Sequence, residues 1–492
     1  MYKTILLLCV LYTSLFAGKW EISGVVKTAA GTPPDIAHVH VSSIQRGSRT
    51  VYHTAQTDNR GAYHISLAHP GWYTLRFTAP YHQETPIVIH LSSEDSLLTV
   101  NITLPSIRYN EPPEEVKIIG DWNNFSFAKA ETMTKRADGT FEFTVKARGD
   151  TLAYQILDNV ERHSFNGTQQ DYFVYDGGGD YRSVLRTKPG EEVRIVFDPK
   201  KFGDFGNDEL PRVEFDAAHE VLGKINELYR LFERSHQAYL KEVLAYQEKH
   251  FNLEGFQYDF SGIKAQLGEY LKSDNNLLQR FVAILLLNVE LKNRPPDKTQ
   301  LKKLWEMLPP DDLLWELSPF AISMVPSVLF PQHADSVLEK FYELNPTRLV
   351  KAIALARLTA KLKQQNKEEA FVEHYRKLKS EFSDLLEVQY ELKKFDPERR
   401  IAVGKPVPDF EVKLIGSEKT VTRKSMLGKY YLIDFWAVWC MPCVAEIPNL
   451  QQVYQQFKDK NFEILSISLD ADDKIVQTFW EKKYKMPWLN AR

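Results

Sequence analysis

The hydrophobic pattern changes twice along the chain. Residues 18–106 and 107–200 alternate apolar and polar positions in short runs between Gly-, Pro- and Asp-containing turns, a pattern typical of antiparallel strands. Residues 213–396 instead repeat apolar positions every three to four residues, with prolines between the runs, which indicates short packed helices. Residues 401–492 combine buried strand runs with amphipathic helices. We therefore expect a multidomain fold with two N-terminal β-sandwiches, a central all-α region and a C-terminal α/β domain.

Residues 1–17 have the pattern of a secretory signal peptide. One charged residue precedes a twelve-residue apolar run, and the small residue Ala17 ends it, which is the order of regions in an export signal. Such a run is too short to span a bilayer core of about 30 Å. The bulky Leu8 before Cys9 argues against a lipoprotein. We expect a protein that is exported, to the periplasm or beyond, with the signal cleaved after Ala17.

Composition excludes several classes of protein. The 492 residues carry 62 Lys+Arg against 65 Asp+Glu, a net charge of −3, so no basic excess indicates a nucleic-acid partner. Three cysteines are too few for a disulfide-stapled scaffold. If Cys9 leaves with the signal peptide, only Cys440 and Cys443 remain, and we expect that pair to carry chemistry.

The surroundings of Cys440 and Cys443 favour thiol chemistry. A buried strand run, 430–435, leads through a turn into an amphipathic helix that starts at Met441. Unpaired N–H groups and the positive end of the helix dipole favour an anion at this place, so the first thiol should have a depressed pKa. We expect Cys440 to attack a substrate disulfide, and Cys443, one turn along, to resolve the mixed disulfide.

Three further residues could assist the two thiols. Asp434 lies six residues before Cys440 on the buried strand and is a candidate proton acceptor for Cys443, because burial raises the pKa of a carboxyl group. Glu446 could tune the thiol pKa values, or it could simply be a favourable charge near the helix N-terminus. Pro442 at the helix start costs no hydrogen bond and should fix the turn.

Two patterns also allow a metal site. The C-x-x-C spacing could be half of a zinc site, but zinc needs four ligands, and no histidine follows Cys443 while the nearest one upstream is His374. His38 and His40 share one face of a strand and could bind zinc or copper, although the simpler interpretation is a solvent-facing pair. We predict no metal and no cofactor besides a redox-active Cys440–Cys443 disulfide.

The stretch from Asp434 to Cys443, DFWAVWCMPC, resembles the thioredoxin superfamily. Together with segments 404–410 and 462–470, it is similar to exported TlpA/ResA-type thiol-disulfide oxidoreductases. The resemblance implies that Trp439 and Pro442 belong to the site and that the protein is a reductase. It further implies exported protein disulfides or apocytochrome haem-binding cysteines as substrates, and a membrane thiol-electron donor.

Two weaker resemblances concern the N-terminal side. Residues 18–106 resemble the carboxypeptidase-regulatory-like sandwich through turns such as TDNRGAY at 57–63. Residues 107–200 resemble the early-set sandwich of glycogen-binding modules through GDWNNF at 120–125. The second resemblance makes a glycan a possible partner, and the alternative is that Trp122 serves only packing.

The thioredoxin-like resemblance ends early. A family member would continue after Arg492 with a cis-proline, an antiparallel strand pair and a closing helix, so we expect an incomplete domain from a longer gene. This leaves an alternative function, an exported binding or scaffold protein whose sandwiches bind sugar or protein beside an inactive thioredoxin-like remnant. The C-x-x-C spacing does not decide between reduction and oxidation, because reductases and oxidases share it and differ in potential.

Overall fold

The chain forms two compact units. The structure, a computed structural model, describes residues 20–44, 51–108, 112–157, 164–202, 210–250, 253–293, 295–396 and 398–492. One unit comprises the described residues up to Tyr229 with Asn275–Phe281 and Glu316–Ser318. The other comprises the described residues of Arg230–Asp274, Val282–Trp315 and Pro319–Arg492. The expected signal peptide, 1–17, lies outside the described residues.

Short strands with alternating burial open the first unit. In the strand Leu97–Leu104, every second residue is buried and those between are partly or fully exposed, as expected for a strand with one face on a core. The strands are β1 (Trp20–Thr28), β2 (His38–Ser43), β3 (Val51–Gln56), β4 (Ala62–Leu67), β5 (Gly71–Thr78), β6 (Thr85–Leu91) and β7 (Leu97–Leu104).

A second set of strands follows in the same unit. They are β8 (Lys117–Gly120), β9 (Glu131–Thr132), β10 (Thr134–Lys135), β11 (Phe141–Lys146), β12 (Thr151–Leu157), β13 (Ser164–Phe165), β14 (Tyr172–Tyr175), β15 (Tyr181–Arg186), β16 (Glu192–Phe197) and β17 (Arg212–Phe215).

These strands build two layered β regions. The first has the sheets β17-β7-β1-β4 and β3-β2-β5-β6, and Tyr63 meets Phe77 between them with ring centroids 5.6 Å apart. The second has the sheets β14-β15-β12-β8-β9 and β10-β11-β16, with β13 beside β12. Its core joins Ile156 of one sheet to Phe197 of the other. The helical region was expected from residue 213, but the chain first returns through β17 to pair with β7.

His38 and His40 lie on the outer face of β2, yet both are buried, with 7% and 4% of their surface exposed. The ring of His38 stacks on that of Tyr175, with centroids 4.3 Å apart. Its Nδ1 hydrogen-bonds the hydroxyl of Tyr181 at 2.8 Å. The expectation of a solvent-facing pair is therefore wrong, because β14 and β15 of the second β region cover this face.

Helices dominate the chain from residue 220 to residue 395. Asp297 and Thr347 cap two of them by accepting backbone N–H groups of the first turn, which satisfies donors that the helix leaves unpaired. The helices are α1 (Glu220–His250), α2 (Ser261–Gly268), α3 (Asn276–Glu290), α4 (Lys298–Glu306), α5 (Pro319–Leu329), α6 (Ala334–Leu344), α7 (Arg348–Gln364), α8 (Glu368–Phe382) and α9 (Leu386–Phe395).

The C-terminal part of the chain is an α/β domain. A hairpin of β18 (Glu411–Lys413) and β19 (Thr420–Thr422) comes first. The main elements are β20 (Tyr430–Trp436), α10 (Met441–Phe457), β21 (Phe462–Ser468), α11 (Asp473–Lys482) and β22 (Leu489–Ala491).

The main sheet of this domain has three parallel strands in the order β20-β21-β22. Their apolar side chains pack against both helices around buried Trp436, Ile464 and Val476. Parallel strands place their carboxyl ends along one edge of the sheet, and the turn after β20 lies at that edge. No helix among the described residues is sufficiently long and apolar to cross a bilayer.

Candidate thiol-disulfide site

The turn between β20 and α10 is held by backbone and side-chain hydrogen bonds. Trp436, the last residue of β20, is 1% exposed, and its ring lies against that of Phe479 with centroids 5.4 Å apart. The N–H of Cys440 donates to the carbonyl oxygen of Ala437 at 3.0 Å, which closes the turn, and the N–H of Val444 donates to the carbonyl oxygen of Cys440 at 3.0 Å. Cys440 therefore stands immediately before the first turn of the helix.

Cys440 and Cys443 are joined as a disulfide, with Cα atoms 5.3 Å apart. Cys440 is the N-cap of α10 and Pro442 lies in its first turn, where the missing N–H of proline leaves no bond unmade. Cys443 packs against the apolar core of the domain. In the reduced state, the helix N–H groups and dipole would stabilise a thiolate at this end of α10.

Asp434 lies half-buried on β20, on the strand that leads to the cysteines. Burial raises the pKa of its carboxyl group above the usual range, a hydrogen bond from Ser466 opposes that rise, and the charge of Glu446 adds to it. The hydroxyl of Ser466 donates to Oδ2 of Asp434 at 3.0 Å. A higher pKa makes a carboxylate a better proton acceptor.

Ser466 is itself fixed by a third residue. The indole Nε1 of Trp488 donates to Oγ of Ser466 at 2.8 Å, and both side chains are buried. Since the hydroxyl then has one hydrogen left to donate, it is directed at Asp434. The row Trp488–Ser466–Asp434 therefore runs from the residue just before β22, through β21, to β20.

Glu446 is exposed on the second turn of α10, and its Oε2 accepts a hydrogen bond from Nδ2 of Asn449 at 3.0 Å. Its negative charge acts on Asp434, whose pKa it raises. The residue was expected to tune the thiols. The structure instead connects it electrostatically to Asp434 on the neighbouring strand.

Trp439 and Pro442 lie on the surface around the disulfide. The side chain of Trp439 is 68% exposed, and Pro442 is also exposed. The exposed indole is an apolar surface next to the Cys440–Cys443 disulfide.

Asp470 also lies at this site, although no motif of the sequence predicts it. Its carboxylate is 5% exposed, and Oδ2 accepts from the N–H of Val438 at 3.0 Å and from Oγ of Ser468 at 2.9 Å. It therefore anchors the turn that carries Cys440. The parallel pairing of Trp436 with Ser468 explains this, because a carboxylate two residues after β21 reaches the turn that follows β20.

The other candidates of the sequence do not join this site. Among the described residues, no three His, Cys, Asp or Glu side chains are grouped as a metal site. Both Nδ1 atoms of His38 and His40 are within hydrogen-bond distance of a hydroxyl group. The indole of Trp122 stacks on Phe143 with centroids 5.3 Å apart, and its Nε1 donates to Glu131 at 2.6 Å.

Two segments match known families. Residues 403–490 match the AhpC/TSA family, and residues 21–105 match the carboxypeptidase regulatory-like domain. The chain is therefore multidomain, with a thioredoxin-like domain of AhpC/TSA type at its C-terminal side and a carboxypeptidase regulatory-like domain at its N-terminal side.

Curated relatives match the same C-terminal segment. Over 87 residues the chain is 39% identical to thiol-disulfide oxidoreductase ResA of Oceanobacillus iheyensis, covering 17% of this chain and 45% of the relative. Over 74 residues it is 31% identical to thioredoxin-like protein YneN of Bacillus subtilis, covering 15% and 42%. The chain thus spans less than half the length of these two relatives.

Two solved structures have similarity to part of the chain. A putative thiol:disulfide interchange protein DsbE from Chlorobium tepidum has 27% identity and a TM-score of 0.16, covering 17% of this chain and 57% of that one. The thioredoxin domain of a thiol-disulfide oxidoreductase from Bacteroides vulgatus has 30% identity and a TM-score of 0.17, covering 18% and 64%. By sequence, the C-terminal domain is similar to thiol-disulfide oxidoreductases.

Proposed function

We propose that this chain is an exported thiol-disulfide oxidoreductase that reduces protein disulfides. The observation that supports this most strongly is the Cys440–Cys443 pair at the N-terminus of α10, where the helix favours a thiolate. Similarity of the surrounding domain to thiol-disulfide oxidoreductases supports the general reaction class.

In the first step of the proposed reaction, the Cys440 thiolate attacks one sulfur of a substrate disulfide. The substrate S–S bond breaks, a mixed disulfide forms, and the second substrate sulfur leaves as a thiolate. The turn held by Asp470 keeps Cys440 at the helix end, so the attacking sulfur is oriented before the substrate arrives.

In the second step, Cys443 resolves the mixed disulfide. Asp434 accepts the proton of the Cys443 thiol, the resulting thiolate attacks the sulfur of Cys440, and the remaining substrate sulfur leaves. Two electrons have then passed from the protein dithiol to the substrate, and the protein holds the Cys440–Cys443 disulfide. The raised pKa of Asp434 suits this role, because the carboxyl group takes up a proton more readily.

The proposed substrates are disulfides of exported proteins, including the haem-binding cysteines of apocytochromes. Each turnover leaves the protein oxidised, so a thiol-electron donor at the membrane would have to restore the dithiol. The signal-like residues 1–17 support export, and the redox-active disulfide would be the working group in place of a bound cofactor.

Two measurements test the proposal. With Cys443→Ser, a protein disulfide substrate should remain covalently attached to Cys440, whereas Cys440→Ser should trap none; trapping by neither variant would contradict the dithiol mechanism. The redox potential of the Cys440–Cys443 pair decides whether the protein reduces or oxidises its substrates. A value of about −270 mV supports a reductase, and one of about −120 mV would instead indicate an oxidant.

A further inference from the structure

A groove lies beside the turn that carries the cysteines. It has a volume of about 490 Å³ and runs along one side of α11 to Val438, two residues before Cys440. Its lining residues are Val438, Lys474, Ile475, Thr478, Phe479, Lys482 and Lys483. The size is that of an ordinary ligand site.

The groove combines an apolar floor with a positive rim. Val438, Ile475 and Phe479 supply the apolar surface, and Ile475 is 43% exposed. The three lysines of the lining are all exposed, and the lining contains no carboxylate. Lys474 and Lys482 are eight residues apart and so lie on one face of the helix, since eight residues make slightly more than two turns.

Three aspartates at and just before the start of α11 already have partners of their own. Asp472 accepts the N–H of Lys474 as the N-cap of α11, and Asp473 pairs with Arg492 at 2.6 Å. Asp470 is buried and bonds the N–H of Val438. A recess with one sign of charge above an apolar floor attracts an oppositely charged chain that also has apolar side chains.

The position of the groove relates it to the reaction. Val438, where the groove begins, and the exposed Trp439 directly precede Cys440 in the chain, so a polypeptide whose disulfide reaches Cys440 would place its flanking residues near both. Contacts made there would hold the substrate sulfur close to Cys440.

We propose that this groove, defined by Val438 and the α11 residues between Lys474 and Lys483, binds an acidic segment with apolar residues next to the substrate disulfide. The inference rests on the proposed function and adds a substrate class to it. Binding leaves the chemistry unchanged: the substrate disulfide is reduced to two thiols while the protein dithiol becomes the Cys440–Cys443 disulfide.

The test uses the full chain, reduced beforehand, and two synthetic peptides that share one internal disulfide and the same apolar residue. One peptide has aspartates beside the disulfide and the other has lysines. Single-turnover rates are divided by the rates at which dithiothreitol reduces the same peptides, which removes the effect of flanking charge on the leaving thiols. Bis(2-hydroxyethyl) disulfide serves as the neutral substrate.

We expect the acidic peptide to react about fivefold faster than the basic one at low ionic strength, because each exposed charge pair contributes modestly. The preference should vanish near 1 M salt, where the Debye length is about 3 Å. Lys474→Glu with Lys482→Glu should abolish or reverse it. A matched control, Lys424→Glu with Lys458→Glu, changes the domain charge equally outside the groove and should preserve it.

The outcomes separate the two proposals. Equal normalised rates for both peptides would overturn the inference that the groove binds an acidic segment, and so would equal changes in the two double variants. In either case, reduction of the neutral disulfide would still support the proposed function. Failure of the unmodified chain to reduce any disulfide, including the neutral one, would overturn the proposed function itself. Neutral-disulfide rates in each variant show that the thiol site has kept its structure.

Discussion

Acidification should destabilise the N-terminal unit through His40. This side chain is 4% exposed, and its Nδ1 and Nε2 lie 3.0 Å from the hydroxyl of Thr54 and 3.1 Å from that of Tyr175. Burial, and after it the charges of His38 and Arg76, lowers the pKa of His40 from 6.5 to about 4. The imidazole therefore stays neutral in the folded unit over a pH range in which the unfolded chain takes up a proton.

The direction and the size of this loss of stability follow from the linkage between protonation and folding. Above pH 6.5 both states are neutral and His40 has no pH effect; as the pH falls from 6.5 towards about 4, the unfolded chain binds the proton first and stability is lost. With pKa values of 6.5 and about 4, linkage gives a loss of about 3 kcal/mol at pH 4.5. Because Tyr175, one of the two hydroxyl partners of His40, is only half-buried, solvent screening should reduce the loss to about 2 kcal/mol.

Hydrogen exchange of the backbone amides in β2 and β5, followed by mass spectrometry, measures this loss in the full chain. The opening free energy is compared at pH 7 and pH 4.5, after correction for the intrinsic exchange rate. His40→Gln keeps a polar side chain that does not titrate. The loss of stability between pH 7 and pH 4.5 should therefore be smaller in this variant than in the unmodified chain, by the amount derived for His40. Equal losses in the two proteins would refute the reasoning.

Three further predictions concern single residues. Ser466→Ala removes the hydroxyl donor to Asp434, so the acidic limb of the Cys443 resolving rate should move up by about one pH unit, as expected for a charged hydrogen bond of about 1.5 kcal/mol. Asp470→Ala removes the acceptor of the Val438 N–H and should slow reduction of a neutral disulfide about tenfold. Burial raises the pKa of Glu316 from 4.5 to about 7, so the stability of the folded chain falls as pH rises between those values. Glu316→Gln should therefore be more stable by about 1 to 2 kcal/mol at pH 8, after allowance for the partial exposure of Glu316, and hydrogen exchange measures this gain.

Each of these predictions has a conservative control. Ser466→Thr keeps the hydroxyl and should retain the pH profile, so a profile shifted equally in both variants would remove Ser466 from the argument. Asp470→Asn keeps an acceptor and should recover most of the rate, and a rate as low as that of the alanine variant would contradict the anchoring role. For Glu316→Gln, the gain should be absent at pH 4.5, and an equal gain at both pH values would mean that its charge is not the cause.

Much of the domain order could be predicted from the hydrophobic pattern. Period-2 alternation and turn residues indicate strands, and period-3.6 patterning indicates the helices from residue 220 onward, because both depend on which side of a local element meets the core. The C-x-x-C pair at the start of a helix could also be predicted, since strand, turn and helix follow one another in the sequence. Local patterns determine local elements.

Side chains brought together by pairing between distant strands could not be predicted in this way. Ser466 reaches Asp434, Trp488 reaches Ser466 and Asp470 reaches Val438 only because β20, β21 and β22 lie parallel and in a particular register. Their sequence separations, up to 54 residues between Asp434 and Trp488, give no periodic signal. The register aligns the strand ends, and this alignment creates the hydrogen-bonded row.

The histidines of β2 show the same limit of prediction from local sequence. The alternation of Val39 and Val41 with His38 and His40 correctly assigns the two faces of the strand, but it does not say what covers the second face. Tyr175 and Tyr181, more than 130 residues away in sequence, cover it. Local sequence patterns were enough to predict the type of each region, the order of the regions and the thiol pair. Tertiary packing set the burial of the outer face of β2 and the partners of Asp434, because desolvation and hydrogen bonding depend on neighbours from distant parts of the chain.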